Sequence, residues 1–124
     1  LIVSKKFAVE NPQFMTALVK AIAKADADYR ANPKAWTGDS AKLAAVAKWS
    51  GGKTEDVADA MALYGFPSLA DQASPKWLGG GGNGAAAKAL TQQANFLKEQ
   101  GRLQSVVPDY SNNVTTEWVT RAMK

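Results

Sequence analysis

Apolar side chains return at helical intervals along most of this chain. Ala86, Leu90, Ala94 and Leu97 recur at steps of four, four and three, so they share one face of a helix, while Lys88, Gln92, Glu99 and Gln100 lie mostly elsewhere on the cylinder. Gly101 stands where a left-handed C-cap is wanted, and Val106-Val107-Pro108 cannot continue the helix, so an apolar strap doubles back. The same spacing starts again at Asn11-Pro12, with Asn as the expected N-cap and Pro at the first helical position. Phe14, Leu18, Ile22, Ala25 and Tyr29 form its expected buried stripe, and Lys20, Lys24, Asp28 and Arg30 keep to the other side. Asn32-Pro33 ends it, because a residue before proline is pushed out of the helical region.

Shorter helices follow. Residues 42–49 turn Leu43, Val46 and Ala47 inward and stop at Gly51-Gly52. Thr54 opens the next, with Glu55 and Asp56 in the first turn, where the helix dipole favours carboxylates. Val57, Ala60, Met61 and Tyr64 are expected to face inward there, and Gly65 to close it. Ser68 is placed to cap a short turn reaching Ser74, and residues 113–124 read as a last helix carrying Trp118 and Val119. No repeat and no domain boundary emerges from the pattern.

One segment breaks the helical rule. Leu1-Ile2-Val3-Ser4 is a short apolar run that reads as a buried strand, and no second strand pattern accompanies it. Leaving Leu1, Ile2 and Val3 in water forfeits roughly 1.5–3 kcal/mol each, against a typical total stability of about 5–15 kcal/mol. The strand is therefore expected to complete a sheet supplied by another chain or by an upstream part of the same one, the upstream part being favoured. The chain opens on Leu1 without a signal-peptide pattern, so its start is expected to be a cut end.

Composition narrows the chemistry. Alanine is the commonest of the apolar residues, which make up 46% of 124, so comparatively few large side chains are left to supply the core. The net charge of +4 comes from basic residues that never cluster in threes, which argues against nucleic-acid binding. Without cysteine there is no disulfide or thiol chemistry, and without histidine the usual neutral-pH acid–base group and the commonest metal ligand are missing. No apolar run approaches the roughly 20 residues of a membrane-spanning helix.

Three patterns bear on function. Residues 79–84, Gly-Gly-Gly-Gly-Asn-Gly, satisfy the dinucleotide fingerprint literally, but Pro75 and Trp77 stand where a feeding strand is required, so a flexible lead-in to the following helix is expected instead. Asp26 and Asp28 are two apart on a helix and point different ways, and Glu55 and Asp56 are explained by their place at a helix start, so no metal or cofactor site is read from them. Tyr64 and Phe66, beside Gly65 and Pro67, either complete the core or form a rigid rim to a ligand pocket.

Leu1-Ile2-Val3-Ser4-Lys5-Lys6-Phe7-Ala8 with Asn11-Pro12, then Ala31-Asn32-Pro33, and above all Phe96-Leu97-Lys98-Glu99-Gln100-Gly101 with Asp109-Tyr110-Ser111 resemble the C-terminal part of periplasmic substrate-binding proteins of ABC importers, in the taurine and aliphatic-sulfonate branch. The resemblance implies an α/β two-lobed binding protein of type II, of which this chain is the mostly helical C-terminal segment. Residues 1–8 would be a crossover strand, and residues 11–124 a helical part packing on the first lobe. It implies no catalysis, no cofactor and no metal. It also implies a periplasmic location, a taurine-like or alkanesulfonate ligand touched here by Tyr64 and Phe66, an ABC transporter permease as partner, and an N-terminal portion carrying most ligand contacts. Two other readings stand beside it: an enzyme resembling thiamine-pyrimidine precursor synthases on the same fold, and a self-associating helical interaction domain.

Overall fold

Ser4 starts the first helix: its hydroxyl accepts the Phe7 N–H at 3.2 Å, satisfying one of the donors a helix N-terminus leaves open. In the computed structural model, which describes residues 1–124, the order is α1 (Lys5–Glu10), α2 (Pro12–Ala31), α3 (Ala41–Ser50), α4 (Thr54–Leu63), α5 (Leu69–Ala73), α6 (Ala85–Glu99) and α7 (Glu117–Ala122). Short 3-10 turns lie at Pro33–Trp36, Gly81–Asn83 and Ser111–Asn113. There is no β-strand.

The chain gathers into two compact units, one made of Leu1–Ala21 with Ser68–Lys124 and the other of Ile22–Pro67. Sequence patterning gave no sign of this division, because one boundary falls inside the uninterrupted helix α2. The first unit is built around Ala8, Met15, Val19, Trp118, Val119 and Ala122, with Leu69, Ala73 and Leu78 against them, and α5 packs on α7. The second is built around Leu43, Ala47 and Val57, with Val46, Ala58 and Met61 alongside, and α3 packs on α4.

Several helix ends behave as their residues dictate. Gly101 adopts φ +69°, its N–H reaches the Lys98 carbonyl at 2.9 Å, and the Arg102 N–H reaches Leu97 at 2.8 Å. These two bonds form a Schellman motif that satisfies the last carbonyls of α6. Ser40 caps α3 through the Leu43 N–H, and Ser68 and Asp71 form a reciprocal capping box on α5. Asn11 works backward rather than forward: its Nδ2 donates to the Phe7 carbonyl at 2.9 Å, closing α1 instead of opening α2. Thr54 is the first residue of α4 and not its cap, a position Lys53 holds without a side-chain bond.

The helix faces are where expectation and structure part. On α2 the buried residues are Met15, at 1% exposure, and Val19, whereas Phe14 and Ile22 are largely open and Leu18 is half-buried. Phe14 and Met15 are successive residues about 100° apart on a helix, so periodicity admits either face. Met15, unbranched and flexible, fills the space among the α7 side chains. On α6 the buried positions are Ala87 and Ala94 and not Leu90, since alanines permit the closer approach. Ala58 takes the inward place expected of Ala60, and Tyr64 lies outside α4.

Residues 1–8, expected as a crossover strand, divide differently. Residues 5–8 belong to α1, and residues 1–4 form no regular element, with Ile2 fully and Leu1 largely open to solvent. A strand needs a neighbour to take its backbone N–H and C=O groups, and no other segment of the chain is extended beside it. Met15→Ala or Leu43→Ala should cost about 2–5 kcal/mol in urea or thermal unfolding, and Ile22→Ala under about 1.5 kcal/mol, because only the first two leave an internal cavity.

Candidate functional site

The segment after α4 carries the two residues singled out for ligand contact. Its chain turns at Tyr64, whose N–H closes α4 on the Met61 carbonyl at 3.1 Å, and then runs without regular structure to Ser68. The Phe66 ring folds back onto Tyr29 of α2, centroids 4.6 Å apart, and Tyr29 meets the edge of Trp36 at 5.8 Å. Arg30 donates through Nη1 to the Phe66 carbonyl at 2.6 Å, so the loop is tied by its backbone as well as its ring. Tyr64 is not part of this cluster and is 71% exposed. The structure thus separates the pair: Phe66 completes a small aromatic core, and Tyr64 stands free of it.

The same cluster holds the chain's clearest electrostatic contact. Lys42 of α3 donates to the Asp28 carboxylate and lies over the Trp36 ring, 5.3 Å from its centroid. The Lys42 hydrogen bond is the main reason the Asp28 carboxyl sits below its ordinary value of 3.8. The Trp36 Nε1 is buried without a hydrogen bond of acceptable geometry, although its N–H adds weakly to the hold on Asp28. Asp26, two residues earlier, moves the other way, since burial raises it and the Arg30 charge only partly compensates. The two carboxylates therefore sit in unlike environments. No group of three potential metal ligands is brought together anywhere in the chain.

The glycine run, expected to be a flexible lead-in, is tightly folded. The first two N–H groups of α6, those of Ala85 and Ala86, bond to the carbonyls of Pro75 and Trp77 at 2.9 Å each, and Gly79 N–H bonds to Ser74 at 2.9 Å. These carbonyls occupy the donors that a phosphate would need at that helix start. A Cβ on Gly84 would fall 1.9 Å from the Gly79 oxygen, and one on Gly79 would fall 2.2 Å from the Ala73 oxygen. Both glycines are there because backbone passes through the space a side chain would fill. The sequence signal that was missed lies upstream, in Pro75 and Trp77, whose carbonyls fold over the helix start.

A shallow open groove of about 530 Å³ lies along the start of α2, lined by Pro12, Gln13, Thr16, Ala17, Lys20 and Arg121. Its guanidinium is already engaged: Arg121 pairs with Glu117 at 2.6 Å and lies over Trp118 at 5.1 Å. No helix is long and apolar enough to cross a membrane.

The chain is similar to a periplasmic binding protein: it is 34% identical over 118 residues, 95% of its length, to the taurine-binding periplasmic protein of Escherichia coli K12. The resemblance to the C-terminal part of a taurine-type periplasmic binding protein is borne out. The chain spans 35% of that relative's length. No protein-family model matches the chain, and no solved structure does.

Gly84→Ala should destabilise the chain by about 1–3 kcal/mol, the usual cost of forcing a group into filled space. Gly82→Ala, whose Cβ would meet Asp109 at an ordinary 3.6 Å, should leave the melting temperature nearly unchanged. Because Asp28 is lowered in the folded state, its stabilising contribution is present above the ordinary aspartate value and lost as pH falls below 3.8. The difference in stability between the wild type and Asp28→Asn should therefore persist at neutral pH and fade in strongly acidic buffer.

Proposed function

We propose that this chain is the C-terminal segment of a periplasmic binding protein that captures a small sulfonate, taurine or a close alkanesulfonate, and delivers it to an ABC importer. The observation that carries the reading is the 34% identity running through 95% of the chain. In this reading the protein performs no catalysis. Residues 1–4 complete a sheet as the strand on which the chain crosses between two lobes of a type II fold, which accounts for three exposed apolar side chains in sequence. The permease and the remaining portion of the same protein are its partners, and most ligand contacts come from that portion.

Tyr64 and Phe66 take unequal parts. Phe66, held by Tyr29 and Arg30, fixes the course of the loop, and Tyr64 presents a phenol O–H with no partner to spare for its own core. A sulfonate is a permanent anion with three acceptor oxygens, and a phenol is a suitable donor for one of them.

Calorimetry on the product of the whole reading frame should give saturable heat with taurine. No heat with any sulfonate would overturn the proposal. Tyr64→Ala should weaken that binding roughly tenfold, about 1.4 kcal/mol, while leaving stability within about 0.5 kcal/mol, as befits an exposed side chain. Unchanged affinity would remove Tyr64 from the site.

A further inference from the structure

Asn83 is the one asparagine of this chain with glycine after it. Asparagine amides are among the heat-labile groups of proteins, and the lability has a definite chemistry. The backbone nitrogen of the next residue attacks the side-chain carbon Cγ, and a five-membered imide closes. The Cγ–Nδ2 bond breaks, and the amide leaves as ammonia with the proton that the backbone nitrogen gives up. Water then opens the imide at one of its two carbonyl carbons. One opening yields aspartate, and the other yields isoaspartate, in which the main chain runs through Cβ. A following glycine favours the attack, because it has no side chain to obstruct the ring. Asn11 and Asn32 precede proline, whose nitrogen has no hydrogen to lose. Asn95, Asn112 and Asn113 are followed by Phe96, Asn113 and Val114, which all carry side chains in the way.

The fold leaves the Asn83 side chain exposed and hinders its attacker. Asn83 is the last residue of the 3-10 turn Gly81–Asn83, and the Gly84 N–H is bonded to the Gly81 carbonyl at 3.0 Å. Gly84 is buried, and a Cβ on it would stand 1.9 Å from the Gly79 oxygen. A Cβ on Gly80 would stand 3.3 Å from the Gly84 nitrogen, so backbone crowds the nucleophile from a second side. Just beyond it, the Ala85 and Ala86 N–H groups are tied to the carbonyls of Pro75 and Trp77. Bringing the Gly84 nitrogen onto Cγ turns the peptide between residues 83 and 84, which breaks the Gly81 bond and pulls on the other two. We infer that Asn83 is a site of spontaneous deamidation that the glycine turn keeps shut: it loses ammonia only when the turn opens, and isoaspartate, once formed, keeps the turn from closing again. The second half follows from the same crowding, since a turn with no room for a Cβ has none for an added main-chain carbon. Aspartate adds only a charge, just before the start of α6, where a carboxylate is favoured.

The tryptic peptide of residues 77–88 contains Asn83 and no other amide side chain, so a gain in mass there reports on this residue alone. The product of the whole reading frame is aged in warm, weakly alkaline buffer with and without guanidinium chloride, and the peptide is followed by mass spectrometry. In the denaturant Asn83 should convert ahead of Asn95, Asn112 and Asn113. In native buffer it should convert slower by about tenfold or more, as for a group reached only by local opening. Gly79→Ala, whose Cβ would fall 2.2 Å from the Ala73 oxygen, should speed the native conversion, and Gly82→Ala should leave it unchanged. Should Gly79→Ala not fold, the wild-type comparison still decides. Equal rates with and without denaturant would overturn the inference, as would conversion in the denaturant no faster than at the other three asparagines. For the second half, the isoaspartate form is separated after ageing and refolded beside Asn83→Asp. The isoaspartate form should melt below the fresh protein and Asn83→Asp should melt with it. Coincident melting of all three would show that the turn closes over the longer backbone and would sink that half.

Discussion

Burial of Met15 and Val19 against Trp118, Val119 and Ala122 is the contact on which the first unit depends. It joins the two ends of the sequence, and it fixes the rotation of α2 about its own axis. Once Met15 points inward, Phe14, the next residue round the helix, is left on the surface. The edge-to-face meeting with Phe7 and the exposure of Phe14 are consequences of one helix having more apolar faces than this chain has partners for them. In the second unit the same logic holds on a smaller scale, where Leu43, Ala47 and Val57 close a helical hairpin.

The start of α6 shows how backbone can do what side chains elsewhere do. No side chain caps this helix. The carbonyls of Pro75 and Trp77 take its first donors, and the route they follow is open only because Gly79 and Gly84 lack a Cβ. A run of glycines that looks like a nucleotide cradle is here a space-saving device, and the groups that would have met an anion are already occupied.

Local chemistry was well legible in the sequence and rotation about helix axes was not. Gly101, Gly51, Ser68 and the Asn32-Pro33 stop all act where their types demand, because a cap or a proline constrains only its neighbours. The facing of α2 and α6 depends on which of two adjacent apolar stripes meets α7 or a loop far away in sequence, and spacing alone does not decide between Phe14 and Met15 or between Leu90 and Ala87. The strand expected at residues 1–4 failed to form for a related reason: strand propensity is fulfilled only by a neighbour. Of the two ligand candidates, Phe66 was legible as an aromatic near glycine and proline, yet its tether to Arg30 crosses from a different helix and leaves no mark in local sequence.

That the first unit is sewn from both ends of the chain also bears on its birth at the ribosome. Met15 and Trp118 are about a hundred residues apart, so at about 5–20 residues per second the core partner of Met15 emerges on the order of 5–20 s after it. Through that interval the methionine lacks the partners that bury it in the first unit. The core of the first unit therefore closes only once α7 has been made.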